Sequence, residues 1–90
     1  MKGRAYKEGV SYIVRSNEDE PLKIGVFLGT TPLSQARTPI PVLRIDGEEL
    51  MVFSPMAEYT DSLWEELSRL TRKEQWDVVH KLHKEIPFKD

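Results

Sequence analysis

The sequence contains no cysteine, and this absence excludes three kinds of chemistry at once. Disulfides, thiolate metal sites and cysteine nucleophiles all require the thiol group. Small secreted domains often depend on disulfides because their cores are small, so a chain without them fits a reducing compartment. We therefore expect a cytoplasmic protein.

Long apolar runs are also missing from the 90 residues. A helix that spans a membrane needs roughly 18 consecutive apolar residues, and no segment approaches that length. The first eight residues have no apolar stretch of the kind that a secretory signal carries. We expect a protein that does not associate with membranes.

Charge of either sign is nearly balanced, but it is distributed unevenly. Residues 1–45 carry seven basic and four acidic side chains, and residues 46–90 carry six and eleven, so balances of +3 and −5 give the net charge of −2. Apolar residues make up 39% of the chain, which is typical of a folded protein rather than a disordered one. We expect a single domain over residues 1–90, with a β-rich part over 1–55 and a helical part over 60–86.

Two segments in the first third have the alternation of β-strands. Residues 10–15 alternate with Val10, Tyr12 and Val14 on one face, and residues 22–30 carry an apolar face on every second residue. Gly25 and Gly29 lie on the other face of the second strand. They predict a bulge, strong curvature or a close backbone approach, and two tolerated glycines are the alternative.

A second pair of strands follows a loop from Thr31 to Pro39. Residues 40–45 and 48–53 flank Asp46-Gly47, which favours a two-residue hairpin turn with positive φ at both positions. Four strands in this order predict an antiparallel meander. We expect a small, strongly bent sheet of four or five strands, and an SH3-like barrel is one form that such a sheet takes.

The last third has a helical pattern. Ser62 and Glu65 have the spacing of a capping box, and Thr71 and Glu74 repeat that spacing nine residues later. The second box starts a new helix after a kink, or it lies within one continuous helix. Pro87 ends the pattern. The predicted fold class is therefore α+β, with one or two C-terminal helices across the sheet.

Residues that could carry catalysis are few. His80 and His83 are three residues apart on the predicted last helix, but no cysteine or further histidine completes a tetrahedral metal site. The serines lack the Gly-x-Ser-x-Gly pattern, and the two glycines of the second strand do not precede a helix as in a phosphate loop. We expect no enzyme activity, no metal site and no cofactor.

Two binding hypotheses remain. Trp64, Leu67 and Trp76 lie on the helical stripes, where they form either the core or an interface with a protein partner or a second copy. We therefore predict a small non-enzymatic binding or regulatory module that acts through protein–protein contacts.

Nucleic-acid binding is the alternative hypothesis. The β-rich half contains five residues that could hold a single strand: Arg15, Lys23, Phe27, Arg37 and Arg44. The guanidinium and ammonium groups would contact phosphates, and Phe27 is the aromatic side chain that we expect to be exposed for base stacking. The acidic total charge weakens this hypothesis.

Overall fold

The structure is a computed structural model, and it describes residues 3–15, 19–31 and 39–89. Residues 32–38 of the expected loop, with Arg37, lie outside the described residues. The elements in chain order are β1 (Gly3–Arg4), β2 (Ser11–Val14), β3 (Lys23–Thr30), β4 (Pro41–Ile45), β5 (Glu48–Met51), β6 (Met56–Glu58), α1 (Asp61–Ser68), α2 (Arg72–Glu85) and β7 (Phe88–Lys89).

The main sheet has five antiparallel strands in the order β5-β4-β3-β2-β6. Strands β2 to β5 form the expected meander. Strand β6 pairs with β2 and forms the edge opposite β5. The short strands β1 and β7 pair with each other. The α+β prediction is confirmed. Among the residues that the structure describes, β5 and β6 do not pair, so the sheet is open and a barrel is not confirmed.

The two glycines of β3 have different structural roles. Gly29 adopts a φ of 140°, and the register of β3 with β4 shifts between Phe27 and Gly29, which marks a bulge. At Gly25 side chains of the neighbouring strand take the space that a side chain would need: a Cβ atom there would lie 2.7 Å from Cγ1 of Ile45. The expected bulge is present, and the close contact at Gly25 is with side chains rather than with the backbone.

The turn between β4 and β5 is also as expected. Asp46 and Gly47 have φ values of 53° and 82°, and these two residues alone connect the strands. Positive φ at both positions defines the type I′ turn, whose twist matches that of the flanking strands.

Both faces of β2 are buried, because a different core lies on each side of it. Tyr12 and Val14 belong to a first core, whereas Ile13 belongs to a second core between the sheet and the helices. The buried members of the first core are Tyr6, Tyr12, Val14, Phe27, Leu43, Ile45, Val52 and Met56. Those of the second core are Ile13, Ala57, Leu67 and Val79. The helices therefore cover the β2–β6 side of one sheet face.

The first helix begins two residues earlier than expected. Thr60, in an extended conformation, is the N-cap of α1, and its hydroxyl accepts a hydrogen bond from the amide of Leu63 at 3.1 Å. The capping box predicted at Ser62 and Glu65 is wrong, since Ser62 already lies in the first turn of the helix. Sequence spacing alone does not show which of the two hydroxyl residues, Thr60 or Ser62, is the N-cap.

The second helix begins at the predicted cap. The Thr71 hydroxyl accepts from the amide of Glu74, and the Glu74 carboxylate accepts from the amide of Thr71 at 3.0 Å. The C-terminal part therefore contains two helices, and α2 ends at Glu85, two residues before Pro87.

This capping box makes stability depend on pH. The hydrogen bonds from Thr71 lower the pKa of the Glu74 carboxyl below its ordinary value. Because the pKa is lower in the folded state, the stabilisation is present above the unfolded-state value of about 4.3 and is lost as pH falls through the folded-state pKa.

We expect a Glu74→Gln variant to lose less stability than the wild type between about pH 6 and about pH 3, measured by urea unfolding at each pH. Glu66→Gln, at an exposed glutamate of α1, is the control and should follow the wild type. Parallel curves for the wild type and Glu74→Gln would contradict the expectation.

Candidate functional site

The most accessible strand of the sheet is β5. It lies at one edge of the sheet, and all four of its residues are exposed. Within the described part of the chain, no strand pairs with its outer side. The amide of Val52 donates to the carbonyl of Pro41 at 2.9 Å, so in this antiparallel ladder every second residue bonds to β4. The amide and carbonyl groups of Glu49 and Met51 consequently point outward.

Apolar side chains cluster at the same edge. Leu50 is exposed, Met51 is 54% exposed, and Phe53, two residues beyond the strand, is 77% exposed. Single exposed apolar residues are ordinary, but a contiguous group next to open backbone groups is the surface that an edge strand normally avoids.

A groove of about 250 Å³ adjoins this edge. It reaches the first core, because buried Val14, Ile45 and Val52 form part of its lining, and the exposed side chains of Lys23 and Phe53 lie beside them. The volume is below the roughly 300–1,000 Å³ of sites for drug-sized ligands, and it suits a single side chain better. We refer to β5, Phe53 and this groove as the β5 edge site.

On β5 itself the charged side chains, Glu48 and Glu49, are acidic, and basic side chains lie next to the strand. Lys23 and Asp46 form a salt bridge at 3.6 Å, and Arg44 and Glu49 form another at 3.8 Å, with all four side chains more than half exposed. Glu48 forms no salt bridge with a described residue and remains accessible. Exposed pairs of this kind contribute little to stability, so the basic members can exchange partners.

The residues proposed for nucleic-acid binding are not brought together. Phe27 is only 5% exposed and packs against Tyr6 and Tyr12 with ring centroids 5.4 and 6.2 Å away, so the expectation of an exposed stacking platform is wrong. Phe27 and Gly25 lie on the same face of β3, and this face is buried. The absence of a side chain at Gly25 leaves room for side chains of the neighbouring strand.

The basic residues are also separated. Arg15 is 1% exposed, and its guanidinium donates to the backbone carbonyl of Arg72 and to Oε1 of Gln75, the latter at 2.9 Å. The expectation that the Arg15 guanidinium is available to contact a phosphate is therefore wrong. Lys23 and Arg44 project from opposite faces of the sheet, as the pairing of Gly25 with Ile45 requires.

The three interface candidates on the helices differ in exposure. Leu67 is fully buried in the second core, so it cannot form an interface in this conformation. Trp64 is half-buried and packs against Tyr59, with ring centroids 6.1 Å apart. Trp76 is half-buried and stacks on His80, with ring planes 7° apart.

A second, larger depression of about 360 Å³ adjoins Trp64. Pro21, Leu22 and Leu70 also line it. The lining lies on helix residues and a loop, so it offers no open ladder of backbone donors and acceptors comparable to that of β5.

The histidines do not converge. His83 Nδ1 accepts a hydrogen bond from the amide of Met56 at 3.2 Å and lies 3.4 Å from the Tyr6 hydroxyl, which ties α2 to β6 and the first core. Over residues 3–15, 19–31 and 39–89, no group of three or more His, Cys, Asp or Glu residues could hold a metal ion. The described helices are too short or too polar to cross a membrane.

Sequence reasoning missed the β5 edge site, although one signal for it was present. Residues 50–53 are four consecutive apolar residues in a segment expected to alternate. A strand sends neighbouring side chains to opposite faces, so Met51 cannot share the face on which Leu50 lies. None of the described residues buries Met51, which is 54% exposed.

The fold and its exposed edge define a small α+β domain with an open antiparallel sheet. Comparison of the chain with protein-family models, with curated proteins and with solved structures gives no match.

Proposed function

We propose that the protein is a small non-enzymatic binding module that takes up an extended segment of another protein as an additional strand along β5. The observation that carries this proposal is the combination, at one edge, of outward backbone groups at Glu49 and Met51 with exposed apolar side chains. Strand addition uses both: main-chain hydrogen bonds give affinity, and alternate side chains give specificity.

Charge favours a different protein over a second copy as the occupant. Glu48 and Glu49 occupy half of the four-residue strand. An antiparallel second copy would place the glutamates of one β5 opposite the apolar end of the other, so its strand would bring no cation to these carboxylates. Opposite charges on paired strands are stabilising, and a different protein with basic residues at these positions supplies them, so self-pairing is the less favourable arrangement.

The size of the site predicts a transient complex. Two outward residues provide two donors and two acceptors, and the groove accepts about one side chain. Interfaces below roughly 1,200 Å² belong to weak signalling and encounter complexes. We expect rapid exchange of the bound segment rather than a permanent assembly.

The test is a proline at the outer edge. We expect Met51→Pro to weaken binding of linear peptides, selected on the wild type from a random library, by at least about tenfold, because proline removes an outward donor. The bonds from β5 to β4 are retained, since the Met51 amide points away from β4. Met51→Val keeps the amide and is the matched control, and fluorescence anisotropy with labelled peptides measures the affinities.

Two results would contradict the proposal. Peptides that bind Met51→Pro and Met51→Val equally well would show that they bind elsewhere. A concentration-dependent dimer that Met51→Pro abolishes would make a second copy the occupant of the edge. A thermal melt of each variant establishes that the fold is intact.

A further inference from the structure

We infer that the β5 edge site selects a segment with two adjacent apolar residues followed by two basic residues, bound antiparallel to β5. This inference rests on the proposed function and specifies the chemistry of the partner. It follows from the order of side chains along β5 and from the charges on its inner side.

The strand has an acidic end and an apolar end. Glu48 and Glu49 follow the turn directly, and Leu50 and Met51 lie at the other end, where the chain continues to Phe53. An added strand places its side chains about 4.5–5.5 Å from those directly opposite. Basic residues therefore fit opposite the two glutamates, and apolar residues fit opposite Leu50 and Met51.

The direction of the added strand sets the order of these residues. Every pair in the main sheet is antiparallel, and antiparallel ladders are slightly more stable per residue than parallel ones. Read from its N-terminus, an antiparallel partner meets Met51 first and Glu48 last. The apolar pair consequently precedes the basic pair.

The two glutamates do not contribute equally. Glu49 shares its charge with Arg44, 3.8 Å away on the inner strand. The inner neighbour of Glu48 is Ile45, which carries no charge. The basic residue opposite Glu48 thus gains the larger electrostatic stabilisation, because that carboxylate forms no salt bridge with a described residue.

The groove adds a preference on one face. Leu50 pairs with Leu43 and so lies on the same face as the first core, the face on which the groove opens. The partner residue opposite Leu50 projects to that face. A large apolar side chain there would fill the groove of about 250 Å³ beside Val52 and Phe53.

The experiment selects linear peptides from a random library on three proteins: the wild type, a Glu48→Lys variant and a Glu49→Lys variant. We expect the wild type to enrich the apolar-apolar-basic-basic order. Glu48→Lys should replace the last basic residue by an acidic one, whereas Glu49→Lys should change the preference less. For one selected peptide, Glu48→Gln should weaken binding by about three- to tenfold, and the loss should shrink at high salt.

The outcomes separate this inference from the proposed function. Selected peptides that lose binding to Met51→Pro but show no basic preference, or the same preference on Glu48→Lys, would overturn the inference and leave strand addition intact. Selected peptides that are insensitive to Met51→Pro would overturn both.

Discussion

Replacement of Arg15 by methionine is expected to lower the free energy of unfolding by roughly 2 to 6 kcal/mol. Arg15 follows β2 directly, is almost completely buried, and donates to the Arg72 carbonyl and to Oε1 of Gln75. Methionine fills a similar volume but donates no hydrogen bond. Both bonds are partly buried, and the loss of each bond from this charged donor costs about 1–3 kcal/mol, so the two lost bonds account for the range.

Urea unfolding followed by tryptophan fluorescence measures this loss, and Arg44→Met is the matched control. Arg44 belongs to the same sheet, but it is exposed and forms only a surface salt bridge. Its replacement should change stability by at most about 1 kcal/mol. Equal losses for the two variants would show that the buried hydrogen bonds of Arg15 contribute nothing measurable.

A second variant keeps this prediction testable if Arg15→Met does not fold. Arg15→Lys retains a charge but not the planar fork of donors, so it should be destabilised by an intermediate amount. The double variant Arg15→Met/Gln75→Leu should lose less stability than the sum of the losses of the two single variants. The reason is that both single variants remove the same hydrogen bond, which the sum counts twice.

Arg15 is also connected to the junction between the two helices. Gln75, which accepts from Arg15, also donates from Nε2 to the carbonyl of Leu67 at 2.7 Å. A chain of polar contacts therefore connects the end of β2 with the end of α1 and the start of α2. These contacts hold the junction of the two helices against the end of β2.

Replacement of Gly25 by alanine is expected to destabilise the protein by about 1–3 kcal/mol. An added Cβ would lie 2.7 Å from Cγ1 of Ile45 and 3.1 Å from Cδ2 of Leu43, both in the first core. The sign of the effect is informative. In a strand with free space, alanine would instead stabilise by roughly 0.5–1 kcal/mol, because glycine loses more backbone entropy on folding.

A double-mutant cycle with Ile45→Ala isolates the close approach. That substitution removes Cγ1, the atom nearest to the added Cβ. We expect Gly25→Ala to cost clearly less in the Ile45→Ala background than in the wild type, by at least about 1 kcal/mol. The same cost in both backgrounds, measured by thermal and urea unfolding, would show that contact with Ile45 is not the cause.

The elements that local chemistry controls could be predicted from the sequence. The strand β3, the turn at Asp46-Gly47 and the cap at Thr71 each depend on a few adjacent residues, and all three are present. The alternation of β3 did not give its core face, because Gly25 and Phe27 are buried whereas Ile24, on the predicted apolar face, is exposed. The glycines of β3 also indicated the bulge before the neighbouring strand was known.

Features that depend on distant parts of the chain could not be predicted in this way. Met56–Glu58 has no alternation that marks a strand, and it becomes β6 because β2 offers an edge to pair with. Phe27 is buried because Tyr6 and Tyr12 cover its face of β3. Arg15 is buried because the start of α2 packs against its guanidinium group.

The β5 edge site has the same limitation. Whether Leu50 and Met51 are covered depends on the order of the strands in the sheet. No local sequence pattern shows which strand lies at the edge. The alternation rule identifies two faces in residues 50–53, but it does not say that one face is left open.

The position of β2 has a consequence for how the chain folds. Its two neighbours, β3 and β6, lie at very different distances along the sequence. Pairing of nearby segments costs less loop-closure entropy, so we expect the β2–β5 meander to form before β6 and the helices dock. An incompletely folded chain would then have open edges at both β2 and β5, and docking of β6 closes the one that would otherwise promote aggregation during refolding.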